Sequence, residues 1–231
     1  MLKFQMFLNN IPAIAVVLKD KDVLSFSEEE LRGADIIELR VDMFSETENV
    51  RDFFALARRK FGLPLLCTIR LPDEGGKKEI KERVNIYERV LPFCSFFDIE
   101  IFSKEALYLR DLTTGSDISI IGSYHNFTHT PPLKELERIF EKGKDIGMDI
   151  IKIATMVNEE KDLETLLFFT IRHKNDKIVV LGMGQRGIPS RIINPFFGSL
   201  ITYASLSEAS APGQLHLKDM VHIFKIMGLR H

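Results

Sequence analysis

Short apolar runs alternate along the chain with amphipathic segments in which apolar residues recur three and four positions apart. The runs are rich in β-branched residues and have the length of buried strands. They begin about 20 to 30 residues apart, the spacing that a strand, a crossover helix and two loops require. This pattern predicts eight strands, which lie near Pro12–Leu18, Asp35–Val41, Pro64–Arg70, Phe96–Ile101, Ile118–Tyr124, Asp149–Ala154, Lys177–Gly182 and Ser199–Ala204.

The amphipathic segments predict crossover helices between these strands. Shorter helices are expected in Ser103–Arg110 and after Pro189. Ser27 precedes Glu30 at the spacing of a capping box, which predicts a helix start there, and the two prolines at 131–132 open the helix after the fifth strand. The longer predicted helices are Glu48–Phe61, Lys77–Val90, Leu133–Lys144, Glu159–His173 and Gln214–Met227.

Eight strand–helix units fit either a closed barrel or an open, doubly wound sheet. The barrel is favoured because such barrels typically have about 250 residues, the units are similar in length, and no linker divides the chain. We therefore expect an α/β protein in which residues 1–231 form a single (β/α)8 TIM barrel, which would be the catalytic domain.

Alternate positions of a barrel strand face the interior and the surrounding helices. In the second predicted strand Glu38 and Arg40 lie opposite the apolar positions 37, 39 and 41, so they should point inward. The same division places further polar residues inside, near the carboxyl ends of the strands. These are Asp42, Arg70, Asp98, Glu100, Ser123, His125 and Lys152.

So many buried polar groups predict a functional site, because each unpaired buried charge costs several kcal/mol. Barrel enzymes also place their chemistry at the carboxyl ends of the strands. Taken singly, Glu38 and Arg40 are also consistent with a structural ion pair, and His125 with a hydrogen-bonded, half-buried histidine. Lys152, flanked by Ile151 and Ile153 in mid-strand, fits a purely structural role least well.

Lys152 is the candidate nucleophile. An amine reacts only when uncharged, and we expect an apolar wall together with Arg40 and Arg70 to favour that form. The amine would attack a ketone or aldehyde and lose water to give an iminium ion, which acidifies a neighbouring C–H bond for aldol cleavage or β-elimination. His125, on the adjacent predicted strand, is the candidate for proton transfer near neutral pH.

Composition excludes several other classes of function. The 31 Lys and Arg residues nearly balance the 33 Asp and Glu residues, so we expect neither broad nucleic-acid binding nor attachment to anionic membranes. The apolar runs are far shorter than the roughly 20 residues that span a bilayer, which predicts a soluble, cytoplasmic protein. Cys67 and Cys94 are interpreted as reduced thiols. Only His125 and His129 have the spacing of metal ligands, and because they lie in a loop that ends at a proline, we expect no metal there.

The segment Gly182–Gly187 matches the G-x-G-x-x-G pattern of dinucleotide-binding proteins. That motif belongs after the first strand of a nucleotide-binding unit, whereas this segment follows the seventh predicted strand. We therefore expect the glycines to form a tight turn that brings Ser190 and Arg191 over the barrel mouth. The planar guanidinium of Arg191 is suited to binding a carboxylate.

Six segments, in order, resemble the type I 3-dehydroquinate dehydratases over nearly the whole chain. The resemblance implies a (β/α)8 barrel, commonly a homodimer, that converts 3-dehydroquinate to 3-dehydroshikimate and water in aromatic biosynthesis without a cofactor or metal. The segments are Glu38–Asp42, Cys67–Arg70 with Glu74-Gly75-Gly76, Ser123–Phe127, Ile151–Ala154, Met183-Gly184 through Ser190-Arg191, and Ala209–Gln214.

The resemblance also implies roles for individual residues. Lys152 would form a Schiff base with the ketone, and His125, oriented by Glu74, would assist this step and relay the α proton during a syn elimination. Asn126 departs from the family, which usually has Asp after the histidine. The segment Ser205–Gln214 would be a mobile loop that closes over the site. The implied substrate-binding residues are Glu38, Arg40 and Arg70 for the ring hydroxyls, Arg191 for the carboxylate, and Ser210 and Gln214 from the loop.

Two other functions fit parts of the pattern. A Schiff-base aldolase or transaldolase would use the same lysine but needs a phosphate site late in the barrel, which the seventh loop could offer. A noncatalytic protein that binds small organic acids would need only the cationic side chains of the predicted site. Arg191 and Gln214 suit a carboxylate better than a phosphate, which favours the dehydratase.

Overall fold

The computed structural model describes residues 12–206 and 213–230, and in these ranges strands and helices alternate as the sequence predicts. The strands are β1 (Ala13–Leu18), β2 (Ile36–Arg40), β3 (Leu65–Thr68), β4 (Phe96–Glu100), β5 (Ser119–Asn126), β6 (Ile150–Met156), β7 (Ile178–Met183), β8 (Ile201–Ser205) and β9 (Leu215–His216). The helices are α1 (Asp20–Ser25), α2 (Val50–Phe61), α3 (Arg83–Val90), α4 (Ala106–Leu112), α5 (Leu133–Asp145), α6 (Glu160–Arg172), α7 (Ile188–Ile193) and α8 (Leu217–Ile226).

The strands form one parallel sheet that curls on itself. Strands β1 to β7 pair in sequence order, β1 also pairs with β8, and the short β9 pairs with β8. A single bridge between Ile178 and Ser199 brings the free edge of β7 to the segment before β8. The prediction of a TIM-barrel-type α/β fold is therefore confirmed.

Side chains complete the contact between β7 and β8. The hydroxyl oxygen of Ser199 accepts a hydrogen bond from the Val180 amide at 2.9 Å, and the Asn194 side-chain amide donates to the Val180 carbonyl at 3.2 Å. The Leu200 amide donates to the Ile178 carbonyl at 2.8 Å. Backbone groups that a longer strand pairing would satisfy are thus satisfied locally.

Apolar residues occupy both faces of the barrel wall. Ile37 and Leu39 of β2 pack outward in the large core between strands and helices, while Ile36 points into the barrel. The interior near the amino-terminal ends of the strands is apolar, so the polar interior residues lie towards the carboxyl ends. The apolar interior residues there include Ala13, Ile36, Phe96, Ile150 and Ile201.

The first crossover differs from the prediction. The backbone and hydroxyl groups of Ser27 do bind the Glu30 carboxylate, at 2.8 and 2.9 Å, but the residues that follow form turns, and the helix, α1, lies earlier at Asp20–Ser25. Both bonds are donated by Ser27 to one carboxylate, so only the half of a capping box in which the Glu30 side chain binds the Ser27 amide is formed. No apolar stripe follows Ser27 that would bury a helix against the barrel.

Two predicted helices begin later than expected. Helix α3 starts at Arg83 and not at Lys77, because the Lys77 amide donates to Asp42 at 3.2 Å and the Lys78 ammonium donates to the Phe44 carbonyl at 2.6 Å, which hold this segment as a loop. Helix α8 starts at Leu217 and not at Gln214, because the two residues before it form β9.

The predicted mobile loop, Ser205–Gln214, lies largely outside the described residues, and Ser210 lies outside them altogether. Within residues 12–206 and 213–230, the longest helices have 13 residues, and none is long and apolar enough to cross a membrane.

Candidate active site

One pocket opens at the carboxyl ends of the strands, where the apolar filling of the barrel stops. The predicted site residues that line it are Glu38, Arg40, Arg70, Glu74, His125, Lys152, Arg191 and Gln214. Its wall also includes side chains to which the sequence pattern assigned no role, such as Phe127, Met183 and Tyr203.

Lys152 lies in the middle of β6 and is 5% exposed. Its neighbours in the chain, Ile151 and Ile153, pack outward in the helix-facing core, so strand alternation turns the lysine into the barrel. The Nζ atom lies 3.0 Å from an oxygen of Asp98 and 4.5 Å from the ring centroid of Tyr203. The closest charge is thus an anion, and not the cations Arg40 and Arg70 that the sequence suggested.

Asp98, on β4, is fully buried and binds three groups. It accepts hydrogen bonds from Lys152 and from the Ser123 hydroxyl at 2.6 Å, and it pairs with Arg70. Burial opposes a charge on this carboxyl, but the Arg70 guanidinium and the Lys152 ammonium outweigh it and lower the pKa of Asp98 below its usual value. Asp98 therefore stays a carboxylate.

Arg70 connects the lysine side of the pocket to the histidine side. Its guanidinium pairs with Asp98 and lies 3.0 Å from a carboxylate oxygen of Glu100. Burial alone would lower the pKa of Arg70, yet these two carboxylates raise it. The same oxygen of Glu100 binds the Nδ1 atom of His125, so a continuous chain of polar contacts runs from Lys152 to His125.

His125 lies near the end of β5, where its imidazole stacks on Phe127 with ring centroids 5.8 Å apart and planes within 11°. Burial lowers the pKa of His125, Arg70 adds to that effect, and Glu100 opposes it. The net pKa lies below the ordinary value, so the imidazole is neutral at neutral pH and can accept a proton.

Glu74 lines the pocket but binds elsewhere than expected. It ends the short 3-10 helix Pro72–Glu74 after β3, and both of its carboxylate oxygens contact the Arg83 guanidinium, at 2.9 and 2.7 Å. Among the described residues, Glu100 contacts the Nδ1 atom of His125 while Arg83 holds Glu74, so the expectation that Glu74 orients His125 stays a prediction.

Arg83 was not among the predicted site residues. It begins α3, is 2% exposed, and binds Ser103 at 2.5 Å and Glu105 at 2.6 Å besides Glu74. It therefore ties the loop after β3 to the loop after β4. The available signal was an arginine on the same helical face as Ile86 and Val90, both of which are buried.

Glu38 and Arg40 do not pair with each other as the structural interpretation would require. Glu38 accepts a hydrogen bond from the Thr68 hydroxyl at 2.6 Å. Arg40 donates two hydrogen bonds to Asp42, at 2.9 and 2.8 Å, and although burial opposes it, this carboxylate raises the pKa of Arg40. Both residues line the pocket.

Arg191 reaches the pocket from α7, after a glycine-dependent turn. Gly184 has a φ of 81°, and a Cβ at Gly187 would lie 2.5 Å from the Gly182 carbonyl carbon, so both positions favour glycine. The Ser190 hydroxyl holds the turn by accepting from the Gly182 amide and donating to the Gly187 carbonyl, both at 2.6 Å.

Arg191 is 2% exposed, and its burial lowers the pKa of its guanidinium to about 10. A bound carboxylate would offset the cost of burying this charge, which makes Arg191 suited to an anionic ligand.

Asn126 forms the turn that follows His125. Its side-chain oxygen accepts hydrogen bonds from the amides of Thr128 and His129, each at 3.0 Å, and its Nδ2 atom donates to the Tyr124 hydroxyl at 3.3 Å. The oxygen would serve equally well if it belonged to a carboxylate. The asparagine thus keeps the turn without adding a charge.

The chain is similar to known proteins over nearly its whole length. The family model described as type I 3-dehydroquinase matches residues 13–231. A 3-dehydroquinate dehydratase from Thermodesulfovibrio yellowstonii is 72% identical over 225 residues, which cover 97% of this chain and 100% of the relative. One from Aquifex aeolicus is 39% identical over 219 residues, 92% of this chain and 97% of the relative.

Solved structures of 3-dehydroquinate dehydratases share the fold of this chain. A crystal structure of 3-dehydroquinate dehydratase from Geobacillus kaustophilus matches with a TM-score of 0.86 and 27% identity, covering 94% of this chain and 91% of that one. A type I enzyme from Clostridium difficile, crystallised with covalently modified comenic acid, matches with a TM-score of 0.84 and 28% identity over 94% and 92% of the two chains.

Proposed function

This chain belongs to the type I 3-dehydroquinase family, and from that premise we propose that it converts 3-dehydroquinate to 3-dehydroshikimate and water through a Schiff base on Lys152. The observation that carries the proposal is the position of one amine. The Nζ atom of Lys152 is buried inside a barrel, at the base of a pocket that His125 and Arg191 also line.

The first step forms the Schiff base. The ammonium of Lys152 first gives one proton to neutral His125, and the resulting uncharged amine attacks the carbonyl carbon of the substrate. The carbonyl oxygen takes up that proton from His125 and a second proton from the attacking nitrogen and leaves as water, so the iminium nitrogen keeps one proton. Neutral His125 is on the adjacent strand, two register positions nearer to the carboxyl end than Lys152, and serves as the proton carrier. The contact of its Nδ1 atom with Glu100 leaves the opposite nitrogen, Nε2, to act on the substrate.

The second step eliminates water from the ring. The iminium group acidifies the neighbouring C–H bond, and His125 takes that proton to give an enamine. The enamine electrons then expel the β-hydroxyl group, which receives the proton and departs as water. Hydrolysis of the remaining iminium bond releases the conjugated product and restores the amine, so the overall reaction loses one water molecule.

Substrate binding is assigned to the cations and polar groups of the pocket. Arg191 binds the carboxylate because an anion offsets the cost of burying its guanidinium. Glu38, Arg40 and Arg70 bind the ring hydroxyls, and Gln214 contacts the substrate from the edge of the pocket. Ser210 has the same role in this proposal, although it lies outside the described residues.

The test is to add 3-dehydroquinate and follow the ultraviolet absorbance of the conjugated product. Sodium borohydride should then trap a stable adduct on the peptide that contains Lys152, as mass spectrometry would detect, and Lys152→Ala should give neither signal. An adduct that forms only with a sugar phosphate would favour an aldolase. Binding of the acid with neither absorbance nor adduct in the wild type would favour a noncatalytic binding protein.

The family resemblance further implies a homodimer, and the lengths of the apolar runs predict a cytoplasmic protein; both remain predictions. Light scattering of the purified chain would test the oligomeric state.

A further inference from the structure

Tyr203 presents a buried hydroxyl group to the pocket. The residue lies in the middle of β8 and is 5% exposed, and its hydroxyl has no hydrogen-bond partner within the described part of the chain. Buried tyrosine hydroxyls normally find a partner, because an unsatisfied polar group destabilises the folded state. Phenylalanine would provide the same ring without that cost, so the hydroxyl needs an explanation.

The position of Tyr203 points to a ligand. Its ring lies over the ammonium of Lys152, at 4.5 Å, and the side chain lines the pocket together with Arg191. The adjacent residue, Thr202, donates a hydrogen bond to the Arg191 carbonyl at 3.0 Å, which fixes β8 against the helix that carries the arginine. The tyrosine therefore lies beside the lysine, on a strand that is hydrogen-bonded to the helix carrying the arginine.

The two carboxylates whose charges act most strongly on Tyr203, Glu38 and Asp98, already bind other residues. Glu38 binds the Thr68 hydroxyl, and Asp98 binds Lys152 and Arg70. Burial, with Glu38 and Asp98 adding to it, raises the pKa of Tyr203, so the phenol keeps its proton and remains a donor.

We propose that the Tyr203 hydroxyl is a substrate-binding group that donates a hydrogen bond to an oxygen of the organic acid held between Lys152 and Arg191. The proposal rests on the proposed function, because that function supplies the oxygen-rich ligand. It also has a second consequence. The hydroxyl lowers the stability of the empty protein and strengthens the complex, so its removal should have opposite effects on the two states.

Tyr203→Phe tests both effects. Its matched control is Tyr87→Phe, because Tyr87 is also fully buried but its hydroxyl donates to the Asp98 carbonyl at 2.7 Å. In the absence of ligand, we expect Tyr87→Phe to lower the melting temperature and Tyr203→Phe to keep or raise it. A loss of stability in Tyr203→Phe comparable to that of the control would overturn the proposal, because the hydroxyl would then have a partner inside the protein.

Binding is best measured where no Schiff base can form. In a Lys152→Ala background, we expect Tyr203→Phe to weaken the binding of 3-dehydroquinate about three- to tenfold by calorimetric titration, the equivalent of one hydrogen bond. In the active enzyme KM should rise by a similar factor, with kcat changing less. Unchanged affinity and KM would overturn the proposal.

These experiments distinguish an error in the role of the Tyr203 hydroxyl from an error in the proposed function. If the wild type produces the conjugated product and Tyr203→Phe matches it in KM, only the role of the hydroxyl is wrong. If the wild type neither turns over nor binds 3-dehydroquinate, the proposed function is wrong and the substrate contact is wrong with it.

Discussion

Lys152 and Asp98 form an ion pair inside the barrel, with 3.0 Å between the lysine Nζ atom and a carboxylate oxygen. Both side chains are almost completely removed from water. Through Arg70 and Glu100, the same carboxylate is connected to His125. The proposed nucleophile and the proposed proton carrier are therefore electrostatically linked, and replacement of either one changes the charge balance around the other.

Replacing Lys152 should remove catalysis without unfolding the protein. Lys152→Ala and the larger Lys152→Met should both lose turnover and the borohydride adduct. Loss of one partner of a buried ion pair costs about 3–5 kcal/mol, but Asp98 keeps Arg70 and Ser123, so we expect a smaller decrease in the free energy of unfolding. Urea denaturation would measure this decrease in the free energy of unfolding. Complete unfolding of both variants would instead assign the lysine a structural role.

Asp98 should contribute to stability in a pH-dependent way. Its pKa is lower in the folded state than in the unfolded chain, so its contribution is fully present above about pH 4, the ordinary aspartate range. As pH falls below that range, the unfolded chain takes up a proton first and the contribution is lost. We therefore expect Asp98→Asn to be less stable at pH 7 and to show a shallower loss of stability between pH 5 and pH 2 by urea denaturation. An identical slope in both proteins would contradict this assignment.

Glu100 should control the acid limb of the pH–rate profile. Its carboxylate raises the pKa of His125, against burial, and Glu100→Gln removes that effect. The imidazole would then stay neutral to lower pH, so the acid limb of kcat/KM should move to lower pH. A limb that stays in place would mean that another group titrates.

His125 should be needed after the substrate binds. We expect His125→Ala to lower kcat about 10²- to 10⁴-fold, the usual contribution of a general acid–base group. Schiff-base formation should continue slowly, so borohydride should still trap an adduct on Lys152. Stoichiometric trapping together with normal turnover would contradict this role.

Arg83 should act on the site through Glu74. Arg83→Met removes both hydrogen bonds to that carboxylate, and we expect kcat/KM to fall about ten- to a hundredfold, the range for hydrogen bonds to a charged group. Arg83→Lys should restore part of the activity. The matched control is Arg89→Met on the same helix, because Arg89 binds only an exposed carbonyl, that of Glu48. Equal effects at both positions on kcat/KM would show that Arg83 acts only on stability.

The sequence predicted the direction of the strand side chains well. A period of two is fixed by strand geometry, so the apolar flanks of Lys152 and Glu38 were enough to place both inside the barrel. The residue that contacts His125 was harder to predict. Glu74 and Glu100 are both candidates to contact His125, and Arg83, at the start of α3, holds Glu74, which no local sequence pattern encodes.

Tyr203 and the first helix show two further limits. An inward tyrosine in a strand resembles ordinary interior packing, and only the absence of a partner for its hydroxyl within the described residues distinguishes it. The Ser27–Glu30 contact forms as expected, but a local hydrogen bond does not extend into a helix without an apolar face to bury.

The contact between β7 and β8 determines how firmly the barrel closes. Most of the circumference is set by continuous ladders, which tolerate many side chains. At this one place a single backbone bridge and the Leu200–Ile178 hydrogen bond are supplemented by the side chains of Ser199 and Asn194, which hold the backbone of Val180. Two polar side chains thus take the place of missing ladder bonds, and a substitution at either one would loosen the seam and leave the rest of the wall intact.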